Sequence, residues 1–384
     1  MELTKCKLGE LITQRREKND GSDLPICGVS KDGLIPPKQK DADTSIYNVF
    51  YRDDFIFNPA RMELNSIAIN DMYDRAICSS LYEVFYVHRT DLLLPHYLEL
   101  IIRQKWFTRY CEFLGQGSAR EYCRFGNISE IEIEFPPIEE QQKIVEYNTA
   151  IENRIALKQK INDNLVAVGT ASIQKNVGRG ALINLTEVEM DSLIFPEDFK
   201  IKTVSEFCAE TKSGSTPSRT NNEYWENGTI SWVKSGEVHN NITLQTEEYI
   251  TSLGLSESST KLLPKDTVLM AMYGVTAGEV GYLAIEATTN QAICGMICRS
   301  KAEAAYLYFS LIQSQAAISR LSNGGAQDNL SKNFIDNIKI VVPPSEFIEK
   351  LNLAAIVEQM TLNTKEITLL EELQATVLAQ LSSR

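Results

Sequence analysis

A chain of 384 residues is long enough for two domains that each bury a core of their own. Its 43% hydrophobic and 23% charged residues are the balance of a soluble globular protein. No apolar run approaches the ~18 residues of a membrane span, and the start Met1-Glu2-Leu3-Thr4-Lys5 lacks the apolar core of a signal peptide, so a cytoplasmic protein is expected. The net charge of −13 is spread along the chain: residues 1–137 carry 17 Lys and Arg against 21 Asp and Glu, and residues 181–344 carry 12 against 19. No region has the excess of base that marks a self-sufficient nucleic-acid binder, so any phosphate neutralisation must come mostly from elsewhere.

In chain order, Ile67-Ala68-Ile69 and Tyr82 to Val87 are short and β-branched or aromatic, as strands are. A helix is predicted from Tyr97 to Tyr110, then a Gly117-Ser118-Ala119-Arg120-Glu121 motif and a strand over Ile131 to Phe135. After Pro136-Pro137 comes Ile138-Glu139-Glu140-Gln141-Gln142, with proline ahead and acids in the first turn, as a helix start favours. Apolar Ile144, Ile151, Ile155, Leu165 and Val168 keep helical spacing up to Gly178-Arg179-Gly180, with polar Asn148, Lys158 and Asn162 near the seam. Strands follow over Thr229 to Val233 and Thr267 to Met270, a helix from Ala302 to Leu321, and a strand over Ile338 to Val342. A second long helix is predicted from Ser345-Glu346 to the end, striped by Ile356, Met360, Ile367, Leu370, Leu373, Val377 and Leu381. Each helical run is about 38 residues, so ~55–60 Å if continuous.

The order is duplicated. Gly117, Ile128, Ile131, Ile133 and Pro136-Pro137 recur as Gly324, Ile335, Ile338, Ile340 and Pro343-Pro344, without an insertion. A spacing this long exceeds a solenoid repeat, so each half is a globular unit plus a helix. The expected fold is therefore α+β: domains over residues 1–137 and 181–344, each of mixed α/β structure and each followed by a long helix, over 138–180 and 345–384. The two helices would bury their stripes by pairing as an antiparallel coiled coil, which makes Ile144, Ile151, Ile155, Leu165, Ile356, Met360, Ile367 and Leu370 the candidate partner-binding positions.

Catalytic chemistry is not legible in the chain. Phe113-Leu114-Gly115-Gln116-Gly117 has the F-x-G-x-G spacing of a methyltransferase, but it follows a predicted helix and no Asp/Asn-Pro-Pro-aromatic accompanies it. A G-x-x-x-x-G-K-[ST] phosphate loop is missing as well. Eight cysteines without repeated spacing read as packing thiols, and with three histidines no metal site is expected. What stands out instead are polar, turn-rich segments suited to phosphates and base edges. Candidate DNA-binding residues are Arg15, Arg16, Lys38, Lys40, Arg61 and Arg120 in the first half. Lys212, Ser215, Thr216, Arg219, Lys234, Tyr273, Asn290, Gln291 and Gln327 are the candidates in the second.

Taken together, the chain resembles the specificity subunit of type I restriction-modification systems. In the first half the resemblance rests on Gly28 to Pro37 and on Asn58-Pro59-Ala60-Arg61 through Ala68. In the second it rests on Ser213-Gly214-Ser215-Thr216-Pro217, Tyr224-Trp225 through Trp232, and Lys261 to Pro264. Pro-Pro followed by a long helix resembles the family's two spacer regions, although Ser345-Glu346-Phe347-Ile348-Glu349 departs from the first copy's Ile-Glu-Glu-Gln-Gln. The resemblance implies two target recognition domains reading a split double-stranded DNA sequence, with the helices setting their distance. It implies two modification subunits that flip out and methylate adenine, and restriction (motor-nuclease) subunits. S-adenosylmethionine, ATP and Mg2+ are then used by those partners and no cofactor by this non-catalytic chain. A subunit of another bipartite-site system, a DNA-blind scaffold and a single-chain methyltransferase are the alternatives.

Overall fold

The computed structural model describes residues 3–31, 33–37, 43–115, 122–183, 194–240, 242–322 and 329–382. They gather into two compact units, Met1–Arg154 with Leu370–Arg384, and Ile155–Leu369.

The strands of the first unit are β1 (Thr4–Lys7), β2 (Ile12–Arg15), β3 (Ile26–Ser30), β4 (Gly33–Ile35), β5 (Asn48–Tyr51), β6 (Phe55–Phe57), β7 (Ile67–Ile69), β8 (Arg75–Cys78), β9 (Glu83–Val87) and β10 (Glu132–Phe135). Its helices are α1 (Pro95–Ile102), α2 (Lys105–Gly115) and α3 (Phe125–Ser129), followed by the start of the long α4 (Ile138–Asn176). The sheets run β2-β9-β6-β7, β4-β3-β8-β5 and β1-β10. Phe55-Ile56-Phe57 is apolar throughout because both faces of its sheet are covered. Phe55, Phe57, Phe85 and Val87 enter a core with Tyr97, Leu98 and Ile101 of α1, while Ile56 and Val84 enter a smaller one with Phe50 and Cys78. Each buried aromatic contributes about 2–3 kcal/mol. β10 has one wet face, so exposed Glu132 and Glu134 alternate with buried Ile133 and Phe135. The single helix expected from Tyr97 to Tyr110 is two, α1 and α2. The backbone N–H of Arg103 bonds back to Glu99 and Ile101 carbonyls, and buried Gln104 donates from Nε2 to the Leu378 carbonyl at 3.1 Å.

In the second unit the strands are β11 (Ala181–Leu182), β12 (Lys200–Thr203), β13 (Glu210–Ser213), β14 (Ile230–Val233), β15 (Ile242–Thr243), β16 (Glu248–Ile250), β17 (Thr267–Ala271), β18 (Val280–Leu283), β19 (Thr288–Thr289), β20 (Ile293–Ile297) and β21 (Lys339–Val342). The helices are α5 (Val204–Phe207), α6 (Ser252–Ser256), α7 (Lys301–Ser322), α8 (Lys332–Asp336), α9 (Ser345–Lys350) and α10 (Leu353–Ser382), whose last residues belong to the first unit. The sheets run β13-β20-β17-β18-β15, β11-β21-β12 and β16-β14-β19. Again the central strands are covered twice. Val268, Met270, Cys294 and Met296 face a core with Tyr308 and Phe309 of α7, and Leu269, Ala271 and Ile293 face Val233, Leu263 and Leu283.

The duplication is therefore structural. β2-β9-β6-β7 and β13-β20-β17-β18 are the same antiparallel order. The series α3, β10, α4 recurs as α8, β21, α9 at the spacing read from the motifs. One expectation fails: the second long helix is not continuous from Ser345 but breaks after α9, where Asn352 adopts φ 54°. Asparagine is among the few residues that tolerate this left-handed conformation.

Side chains of α4 and α10 meet through polar groups in each unit. In the first, Gln374 Nε2 donates to Asn148 Oδ1 at 3.0 Å and Glu152 Oε1 at 3.1 Å. In the second, Lys158 Nζ lies 2.8 Å from Glu366 and 3.2 Å from Asn363 Oδ1, and Asn363 Nδ2 donates to Asn162 Oδ1 at 2.9 Å. Ile144, Ile151, Ile155, Leu165, Ile356, Ile367 and Leu370 are half-buried and Met360 is buried. Val168 and Leu373, expected in the stripes, are exposed, because at 3.6 residues per turn each falls about a quarter turn or more from the centre of its stripe. No described helix is long and apolar enough to cross a membrane.

Candidate nucleic-acid interface

In the second unit the candidate residues collect where β13 ends and β20 begins. Backbone N–H groups of Gly214 and Ser215 donate to Ile293 and Thr289 carbonyls at 3.2 and 2.9 Å. Only glycine fits at 214, since a Cβ would lie 2.2 Å from the carbonyl oxygens of Thr289 and Asn290. The loop that follows is pinned by two indoles: Trp232 Nε1 donates to Ser215 O and Trp225 Nε1 to Ser218 O, both at 3.1 Å. Thr216 Oγ1 donates to Gln291 Oε1 at 2.5 Å, and Ser215 meets the Ser259 hydroxyl at 2.8 Å. The Arg219 guanidinium lies 3.6 Å from the Trp225 ring centre and 4.8 Å from that of Trp232, and Nη1 donates to Glu248 at 2.5 Å. That bond holds the Glu248 carboxyl below its ordinary value. Lys234 bonds Glu247, which pushes its ammonium up, and lies 3.5 Å from Glu248. The Asn290 N–H donates to the Val233 carbonyl at 3.0 Å, setting Asn290 beside Lys234. Exposed Tyr273 sits at the tip between β17 and β18, whose first residue Met272 donates to the Ala292 carbonyl at 2.7 Å.

The same end of the first unit's sheet is lined differently. A cavity of about 1500 Å³ opens there, with Arg61, Tyr82, Glu83, Arg103 and Arg124 among its walls. Glu83 is its organiser, accepting from Gln14 Nε2 at 3.3 Å, Arg124 Nη1 at 3.3 Å and the Phe125 N–H at 2.8 Å. Arg16 Nε reaches the same network through Gln14 Oε1 at 2.9 Å. Arg61 is exposed on the β6–β7 connection, which accepts from Cys123 N–H at Pro59 O, 3.0 Å away.

Known proteins resemble this chain in sequence and in fold. The family described as type I restriction modification DNA specificity domain matches residues 6–167 and 196–375. The chain belongs to that family. Among curated relatives it is 22% identical over 357 residues to the HindI specificity subunit of Haemophilus influenzae, covering 76% of this chain and 77% of the relative. It is 26% identical over 200 residues to the EcoR124I/EcoR124II specificity subunit of Escherichia coli, covering 51% and 46%. The crystal structure of a type I restriction-modification S subunit from M. genitalium superposes with a TM-score of 0.59 at 15% identity, covering 99% of this chain and 96% of that one, a likeness of fold.

Within this specificity-domain family frame, the expected residues fall into three groups. Ser215, Thr216, Arg219, Lys234, Tyr273, Asn290 and Gln291 share one sheet end, as do Arg16 and Arg61 in the other unit. Arg15 and Lys212 are taken by carboxylates: Arg15 Nε and Nη2 bond Asp54 at 2.6 and 3.1 Å, and Lys212 lies 2.8 Å from Glu210. Lys38, Lys40, Arg120 and Gln327, with both Gly-Ala motifs, lie outside the described residues. Sequence reasoning passed over Trp225, Glu248, Glu83 and Arg124. The signal for the first was present, since two of the chain's three tryptophans fall within one turn-rich stretch.

Proposed function

We propose that this chain is the sequence-specific DNA-recognition subunit of a type I restriction-modification complex, with each unit reading one half of a split double-stranded site. The observation that carries the reading is the repetition of one strand order, with a polar loop cluster at the same sheet end, ahead of a long helix in both halves. Residues 1–137 and 181–344 then act as target recognition domains, and 138–180 and 345–384 as spacers. Arg16, Arg61, Ser215, Thr216, Arg219, Lys234, Tyr273, Asn290 and Gln291 are the described DNA-facing set. Amide side chains there suit adenine and guanidinium groups suit guanine. Arg219 and Lys234 of the second cluster each pair with a carboxylate, so phosphate attraction falls to other subunits.

The two long helices pair as an antiparallel coiled coil and act as the ruler between half-sites. Support comes from the polar contacts between them and from the half-buried isoleucines of each stripe. Exposed Leu157, Val168, Leu362 and Leu369 in the second unit, and Tyr147 and Leu373 in the first, suit docking of two modification subunits. This chain is non-catalytic in that scheme. Adenine methylation with S-adenosylmethionine and restriction with ATP and Mg2+ belong to modification and restriction partners in the cytoplasm.

The test is selection of duplexes from a random library by the chain assembled with its modification partner. Two short defined sequences at a fixed gap are expected; a bound pool without a split motif would sink the reading. Lengthening both helices by one matched turn should change the gap and leave both half-sites intact.

A further inference from the structure

We propose that Arg219 reads a guanine in the half-site taken by the second unit, an inference that rests on the DNA-recognition reading above. Guanine offers O6 and N7 in the major groove and is met by a planar two-donor fork. A fork discriminates well only if it is held still beforehand. Arg219 is held by three groups: its guanidinium lies over Trp225 and Trp232, which cross edge to face with centroids 4.9 Å apart, and Nη1 is fixed on Glu248. Both indole N–H groups are spent on the loop that carries it.

Two further observations separate a base reader from a staple or a phosphate contact. Arg15 in the first unit is also ringed by aromatics, 4.7 Å from Tyr51 and 4.6 Å from Tyr86, but Asp54 takes it bidentately and the side chain is 24% exposed. Arg219 gives its carboxylate one of five N–H donors and is 50% exposed. Glu248 pairs with Arg219 and Glu247 with Lys234, so the cluster has no excess of positive charge to draw a phosphate, and a neutral base edge is the better partner.

The experiment maps adenine-methylated motifs made by the full chain with its modification partner, for wild type, R219A, R219K and E248Q. R219A and R219K should lose the guanine requirement at one position of one half-site. Methylation of the original site should fall roughly 5- to 150-fold, the worth of one bidentate pair. The other half-site and the gap should be unchanged, and E248Q, which loosens the hold on the fork, should weaken the guanine preference at that same position and at no other. R219K keeps a cation over the rings without the fork, so it carries the test if R219A fails to fold. A wild-type split motif that R219K leaves untouched at every position, or a responding half-site with no guanine on either strand, overturns the proposal. A wild type with no split motif overturns the recognition reading instead.

Discussion

At the start of the first long helix, buried Gln141 donates from Nε2 to the carbonyls of Leu92 and Pro136 at 2.7 and 2.8 Å and accepts the Leu94 N–H at 2.9 Å. The matching position in the second half is Ile348, buried in an apolar core with Val341 and Leu353. One half fastens its helix with directional bonds, the other with packing. The departure from Ile-Glu-Glu-Gln-Gln after the second proline pair is thus a change in how the same joint is made. The two ringed arginines differ in the same spirit: Arg15 is locked inward on Asp54, Arg219 stays half outside. Duplicated architecture has been kept while the chemistry at Gln141 and Ile348 diverged.

The largest effect expected on this comparison is from Arg15→Ala. It leaves Asp54, whose carboxyl burial already pushes up against the pull of Arg15, without its cation, and should cost about 3–5 kcal/mol. A carboxyl with a raised folded-state pKa binds protons more tightly when folded, so its contribution to stability falls as pH rises. The deficit in urea unfolding should therefore be larger at pH 7 than at pH 4, and the reverse order would contradict the clamp. Gln141→Ala orphans three backbone groups and should cost about 3 kcal/mol. Ile348→Ala removes packing and should cost about 2–4 kcal/mol. Hydrogen exchange should place the first loss in the first unit and the second loss in the second unit. Gln141→Leu should rescue little, because the carbonyls stay unpaired. Smallest is Arg219→Ala, about 1 kcal/mol or less in thermal unfolding, as fits an exposed pair; a loss as large as that of Arg15→Ala would make it a staple too.

Much of the fold could be read from spacing. The paired Gly, Ile and Pro-Pro positions located β10, β21 and both long helices, because strands with one wet face and helix starts write themselves as local patterns. Asn148, Lys158 and Asn162 were legible as seam residues, though not their partners Gln374, Glu366 and Asn363 on the other helix. The break at Asn352 was hidden, since a single left-handed residue ahead of Ile356 leaves the apolar stripe that follows intact. The sheet β4-β3-β8-β5 was also hidden, its strands being only three to five residues long. At the interface, loops rich in Ser, Thr and Gly were visible as such. The two indoles were visible as neighbours, but not their hold on Arg219, because a ring stacked across a loop leaves no periodic trace.

The central claim is that two halves of one chain each read half of a DNA site. Its most direct test is long-read mapping of adenine methylation in a host with and without this gene, the modification partner present throughout. A split motif with two defined halves and a fixed gap that vanishes with the gene is the predicted result. Methylation unchanged by the deletion, with the protein expressed and bound to its partner, would contradict it.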